Sequence, residues 1–139
     1  ILGREDRYKR IGKEVSVNSD CHVQMSALLI RKGSVIAQGF NKRGYRASSL
    51  HAEIDALKQV VRQKNGAEGA DMWLFRFGGY DGVSPRMSKP CSKCIEAIYA
   101  AGVKRVFYYD WEGNLNVIKM NQIDSEEYYT IFRNASPCR

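Results

Sequence analysis

The sequence predicts an α/β domain in three layers, α/β/α, built around a mixed five-stranded sheet. Three observations lead there. Hydrophobic periodicity switches between the helical and the extended repeat in the order α-β-β-α-β-α-β-β. Glycine, asparagine or serine punctuates most of the switches. A length of 139 residues with 44% hydrophobic and 27% charged residues is the balance of a folded protein, long enough for one core and short for two. Residues 1–139 are therefore expected to form a single domain.

Element by element, Glu5 to about Val15 carries Tyr8, Ile11 and Val15 on one helical stripe, which Asn18, Ser19 and Asp20 interrupt. Cys21 to Ile30 is apolar and extended, Lys32-Gly33-Ser34 is turn chemistry, and Val35 to Gly39 resumes the strand, which makes a hairpin. Asn41 to Leu50 lacks periodicity and is expected to be a loop. His51 to Lys64, with Ile54, Leu57 and Val61 at helical spacing, is a second helix closed by Asn65-Gly66. Asp71 to Phe77 sets Trp73, Phe75 and Phe77 on one face and Met72, Leu74 and Arg76 on the other. Gly78, Gly79, Gly82 and Pro85 mark a long loop before a third helix from Cys91 to Ala101, ended by Gly102. Val103 to Asp110 and Leu115 to Met120 flank Glu112-Gly113-Asn114 and are expected to pair as a hairpin, with a short helix near Asp124 to Ile131.

No apolar run is long enough to span a bilayer, so no membrane partner is expected. No secretory leader is visible, and two of the four cysteines, Cys91 and Cys94, sit one helical turn apart behind a proline, a spacing that suits ligation better than a disulfide. An intracellular, cytoplasmic setting is the simpler expectation, and a nuclear one is not excluded. The formal charge of +7 favours a phosphorylated or polyanionic partner.

Two short motifs carry the chemistry: His51-Ala52-Glu53, and Pro90-Cys91-Ser92-Lys93-Cys94. Each alone arises easily by chance. Together, in this order and at two expected helix starts, they resemble the H-x-E and P-C-x-x-C signature of the zinc-dependent cytidine and deoxycytidylate deaminase superfamily. The resemblance spans roughly Val23 to Tyr109. The fold it implies is a mixed five-stranded sheet with helices on both faces, in agreement with the periodicity.

Zinc suits these residue types. It prefers thiolate and imidazole donors, and a catalytic site uses three of them so that the fourth position stays open. His51, Cys91 and Cys94 would be the three metal ligands. Cysteines at i and i+3 share a helix face, and the positive end of the helix favours their thiolates. The resemblance makes Glu53 the catalytic proton shuttle, which takes a proton from the attacking water, protonates the ring nitrogen and serves the departing ammonia. It also places Asn41 on the sugar, with the Ala52 amide and the Lys89 carbonyl reading the base edge.

Lys42, Arg43, Arg46, Arg86 and Lys89 lie in the two loops around this expected pocket, where Asp81 is the lone acid, and they would suit a phosphate. Tyr45, Phe107, Tyr108 and Tyr109 could stack on a base, although alternate residues of a strand must also pack inward. A structural zinc site closed by Cys21, His22 or Cys138 is the bland alternative, and Glu53 would then only favour the helix dipole.

Substrate readings divide by small departures. The leading one is hydrolytic conversion of cytosine to uracil in a nucleotide of the CMP or dCMP type. Cytidine deaminases typically carry arginine after the glutamate and P-C-G-x-C, whereas this chain has Ile54 and Ser92-Lys93. Editing deaminases, which act on cytosine or adenine in single-stranded nucleic acid, often carry S-W-S before the proline and cysteine, whereas this chain has Arg86-Met87-Ser88-Lys89. A hairpin at Gly113 resembles the cytidine-deaminase branch, and a helical crossover there would resemble the deoxycytidylate and polynucleotide branch. A zinc-binding module without turnover is a third class, against which the intact Glu53 argues. By resemblance, a homo-oligomer is expected.

Overall fold

In a computed structural model that describes residues 2–45, 48–77 and 84–120, helix α1 (Leu2–Ser16) opens the chain. It ends where Asn18 donates its side-chain amide to the Val15 carbonyl, a local bond that competes with helix continuation. Strands β1 (Met25–Arg31) and β2 (Ser34–Phe40) follow as an antiparallel pair. Their two-residue connection puts Lys32 and Gly33 at φ of 51° and 78°, as a type I′ hairpin turn demands. Short strands β3 (Lys42–Tyr45) and β4 (Ser48–Leu50) form a separate two-stranded sheet. Helix α2 (Ala52–Val60), strand β5 (Asp71–Arg76), helix α3 (Ser92–Ala100) and strands β6 (Arg105–Tyr109) and β7 (Leu115–Lys119) complete the order.

The main sheet runs β2-β1-β5-β6-β7, with β5 and β6 parallel and the other neighbours antiparallel. It is mixed and five-stranded, as expected. A parallel pair needs a crossover, which α3 supplies. Alternation along β5 then decides the layering. Trp73, Phe75 and Phe77 pack with Leu28, Ile30, Tyr109 and the Tyr8 and Val15 of α1. Met72 and Leu74 pack with Ala27, Leu29, Val106 and the inward residues of α2 and α3. Helices therefore cover both faces. The predicted hairpin at Gly113 is present, with Tyr109 opposite Leu115.

Four expectations need correction. Residues 42–50 are not a plain loop: they contain the β3–β4 pair, which is too short and too polar to show alternation. Strand β1 starts at Met25 and not at Cys21. Helix α2 stops at Val60 and does not run to Lys64, because the next residues, beginning with the 74% exposed Val61, have no apolar surface to meet. Its buried stripe is Ala52, Ala56 and Val60, with Ile54 and Leu57 only partly covered. The expected helix near residues 124–131 lies outside the described residues, as does the loop at 78–83.

Small residues on that stripe have a purpose. A Cβ on Gly39 of β2 would strike the Ala52 carbonyl and come within 2.5 Å of the Ala56 nitrogen. The start of α2 thus lies directly on the end of β2.

Candidate metal centre and active site

Both motif helices begin with a metal-binding residue type. His51 is the N-cap of α2 and Cys91 the N-cap of α3. Each has an extended backbone, and its carbonyl accepts the first helical bond, from Asp55 and from Ile95 respectively. Neither side chain caps its helix, so the imidazole and the thiol turn toward each other across the helix starts. Cys94, one turn into α3, comes up on the same side.

The result is a cluster of three donors, one ligand atom each from His51, Cys91 and Cys94, all within 4.8 Å of one another. His51 Nδ1 lies 3.2 Å from Cys94 Sγ and 3.5 Å from Cys91 Sγ. A tetrahedral zinc with Zn–S of about 2.3 Å and Zn–N of about 2.0–2.1 Å separates its donors by about 3.6–3.8 Å. The donor set suits zinc, and the two His51–Cys separations are somewhat shorter than those around a bound ion. Among the described residues no fourth His, Cys, Asp or Glu joins the cluster, and neither Cys21 nor His22 belongs to it. Cys138 lies outside the described residues. No disulfide joins the three described cysteines.

Electrostatics around the donors favour a cation. The Cys91 thiol beside Cys94 and burial both hold the Cys94 thiol well above its ordinary pKa, and Glu53 adds to the effect. A thiol held in its neutral form this way gives up its proton when it ligates a dication. Glu53 is 3% exposed, and burial raises its carboxyl pKa above the usual value. Its own backbone N–H, the nearby imidazole of His51 and a hydrogen bond from the Cys94 thiol oppose that rise. Glu53 thus stands in contact with the donor cluster without being part of it.

A family model described as the cytidine and deoxycytidylate deaminase zinc-binding region matches residues 5–110. The chain belongs to that family. Within the matched residues, His51, Cys91 and Cys94 are positioned to bind a metal ion. Solved structures share the fold. A dCMP deaminase from the cyanophage S-TIM5, in complex with dCMP and dUMP, aligns at TM-score 0.60 and 22% identity, covering 77% of this chain and 81% of that one. A cytidine deaminase from Burkholderia pseudomallei aligns at 0.61 and 15%, covering 81% and 89%. RibD of Acinetobacter baumannii aligns at 0.53 and 22%, with 76% of this chain against 28% of that longer one. No curated protein sequence matches the chain.

The other expected site residues separate into groups. Ala52 is buried at the first position of α2, where an N–H has no acceptor within its own helix. Asn41 is 8% exposed, and its side chain accepts from the Met25 N–H at 2.9 Å and donates to the Val23 carbonyl at 2.7 Å. Each of its polar atoms keeps capacity for one more bond. The Lys89 N–H donates to the Met87 sulfur. Tyr108 points to the α2–α3 side of the sheet, where the donors are, whereas Phe107 stacks on Trp73 at 4.3 Å and Tyr109 donates its hydroxyl to Glu5, both in the α1-side core. Burial raises the Tyr108 pKa, with a smaller push from Asp110.

The basic residues are less available than the loop sequences imply. Lys42 pairs with Asp55 at 3.0 Å. Arg43 donates its backbone N–H to the Asp20 carboxylate and its Nε to the Asp20 carbonyl. Both acids come from other elements, so a count of charges within the loops missed them. Arg46 and Asp81 lie outside the described residues, and of the Tyr45 side chain nothing is described. Arg86 is exposed and lines a cavity of about 380 Å³ with Arg76, His22, Met87 and Trp111. His22, Arg76 and Trp111 carried no sequence signal for this placement. Among the described residues no helix is long and apolar enough to cross a membrane.

Proposed function

We propose that this protein is a hydrolytic deaminase that converts cytosine to uracil in a pyrimidine nucleotide of the CMP or dCMP type and releases ammonia. The observation that carries the reading is the buried Glu53 carboxyl in contact with a three-donor, zinc-shaped cluster at two helix starts. When bound, zinc supplies Lewis acidity at an open fourth position. His51, Cys91 and Cys94 hold it there. Glu53 accepts the proton of the attacking water and passes it to the ring nitrogen of the pyrimidine. It then takes the remaining proton of the hydroxyl added to the ring carbon and hands it to the amino group, which leaves as ammonia while the carbonyl forms. Burial suits the first of these transfers, since a carboxylate with a raised pKa is a stronger base than an exposed one and takes up the proton of water more readily.

Around that centre, Ala52 N–H and the Lys89 carbonyl read the base edge, Asn41 takes the sugar, and Tyr108 flanks the base. Arg43, Arg46 and Arg86 are the proposed phosphate contacts, and Arg86 lines a cavity of about 380 Å³. Residues 1–139 act as one deaminase domain in this reading. Ile54 and Ser92-Lys93 stand where cytidine deaminases carry other residues, which supports a phosphorylated substrate. The β6–β7 hairpin, which resembles the cytidine-deaminase branch, makes cytidine the necessary control. A second reading, the same chemistry on cytosine or adenine in single-stranded DNA or RNA, draws support from Trp111, 80% exposed at the rim of the arginine-lined cavity, because exposed aromatics stack on bases.

The test is deamination of dCMP, CMP, cytidine, a cytosine-containing oligonucleotide and an adenosine-containing RNA by zinc-loaded protein, wild type and Glu53→Ala. Turnover of a mononucleotide, lost in a variant that keeps its zinc, is the expected result. Turnover of an oligonucleotide or RNA alone would install the second reading. Zinc bound with no turnover of any substrate would overturn both in favour of a structural site.

A further inference from the structure

Asp55 is a buried carboxylate that the reaction described above does not use. It lies four residues after His51 and two after Glu53 on α2 and is 7% exposed. Neither oxygen is spent on its own helix. Oδ2 accepts from the Phe40 N–H at 3.1 Å, and Oδ1 accepts from Lys42 Nζ at 3.0 Å. The two donors flank Asn41. One carboxylate on the helix that carries Glu53 thus grips the chain on both sides of the expected sugar contact.

Other contacts remove the slack from this arrangement. Asn41 is tied to the opening of β1 through the Met25 N–H and the Val23 carbonyl. Lys42 Nζ lies 4.7 Å from the centre of the Phe40 ring, which keeps its stem folded over that residue. Gly39, next in the chain, touches the backbone of α2 so closely that no side chain fits between. Helix α2 and residues 39–42 are therefore tied together, and Asp55 is a polar link between them.

We infer that Asp55 is a positioning residue that sets the distance between Asn41 and Glu53, and so fixes where the sugar of the substrate sits relative to the reacting carbon. This inference rests on the proposed function and on Asn41 as the sugar contact. A rival explanation, that Asp55 merely stabilises the fold, predicts loss of stability without any dependence on Asn41. Placement matters because a misplacement of about 1 Å costs on the order of 10²-fold in rate.

The experiment is a double-mutant cycle on zinc-loaded protein with Asn41→Ala, Asp55→Asn and the double variant, together with Lys42→Met, which breaks the ion pair from its half-exposed end. Three quantities are read: kcat/KM for the best mononucleotide, the Kd of its uracil product, and the denaturation midpoint. Asp55→Asn keeps an oxygen for the Phe40 N–H and is expected to lower kcat/KM about 10-fold and weaken product binding, at full zinc occupancy, with Lys42→Met showing a smaller loss of the same kind. The double variant should lose no more than Asn41→Ala alone. Additive losses in the cycle, or wild-type values for Asp55→Asn, would overturn the inference and leave the function standing. A wild-type protein that turns over none of the substrates would overturn the function instead. Product binding then still tests the coupling, and a Kd that is unchanged in the cycle would overturn the inference as well.

Discussion

Replacing Gly39 by alanine probes a close backbone approach that bears on the site. Gly39 is in a strand, where alanine has no backbone penalty, and relief from glycine's flexibility should itself add about 0.5–1 kcal/mol. The steric cost runs the other way. The new Cβ would meet the Ala52 carbonyl and lie 2.5 Å from the Ala56 nitrogen, whereas ordinary contact begins at 3.4 Å. Both neighbours are helix backbone and cannot rotate aside, so α2 must withdraw by roughly 1 Å, with a strain typical of overpacked cores, about 1–3 kcal/mol. That withdrawal carries Ala52 and Glu53 with it and so displaces them relative to Cys91 and Cys94 at the start of α3. We expect Gly39→Ala to lose about 1–2 kcal/mol in urea unfolding of zinc-loaded protein and to fall on the order of 10²-fold in kcat/KM. An alanine variant with wild-type stability and turnover would refute the claim that this contact sets the helix position.

Three further outcomes follow from single groups. The thermal midpoint should rise with added zinc and fall with a chelator in wild type, and Cys94→Ala should abolish both responses, since binding to the folded state alone is what shifts stability. At the opposite end of the parallel pair, Arg105 donates Nε and Nη2 to the two oxygens of Asp71 at 2.9 and 2.7 Å; Asp71→Asn should cost about 1 kcal/mol by denaturant titration for so exposed a pair and leave turnover unchanged. Asp110 accepts from the backbone of Asn114, the side chain of Asn116 and the backbone of Glu112, which holds its pKa below the ordinary carboxylate value. A folded pKa below the unfolded one means stability present above the unfolded value and lost as pH falls through the folded one. Asp110→Asn should therefore narrow its difference from wild type in melting midpoint as pH drops below about 4.

Legibility in the sequence followed the range of the interactions. The alternation in Asp71–Arg76 was readable because a strand buried on both faces shows its two sets of apolar residues directly, and these sort into the two cores. The ligand cluster was readable because metal chemistry confines its residue types to short spacings on helix starts. The β3–β4 pair was not, since four and three residues around Gly44 carry too few apolar positions to show a period. The end of α2 was misjudged because helical spacing continues to Val61 while the surface to cover it does not. Asp55 carried no signal at all. Its partners stand 15 and 13 residues earlier on another element, and a carboxylate in a first helical turn is expected on dipole grounds alone.

The same separation by range applies to charge. A formal charge of +7 suggests a pocket ringed with cations, but a phosphate is recognised by the groups it can reach and not by the sum. Asp55 takes up the ammonium of Lys42, and the Asp20 carbonyl takes up one edge of Arg43. Both residues are thereby bound to the scaffold around Asn41, where they hold the strand end in place. Arg86 is placed differently. It projects from the segment between Phe77 and Pro90 whose backbone pairs with Arg76, and it shares a cavity with that arginine and with Trp111. A planar, fork-like donor beside an open cavity is suited to an anionic oxygen. Under the proposed function, Lys42 and Arg43 brace the residues around Asn41, and Arg86 is the best placed of the proposed phosphate contacts to tell a nucleotide from a nucleoside.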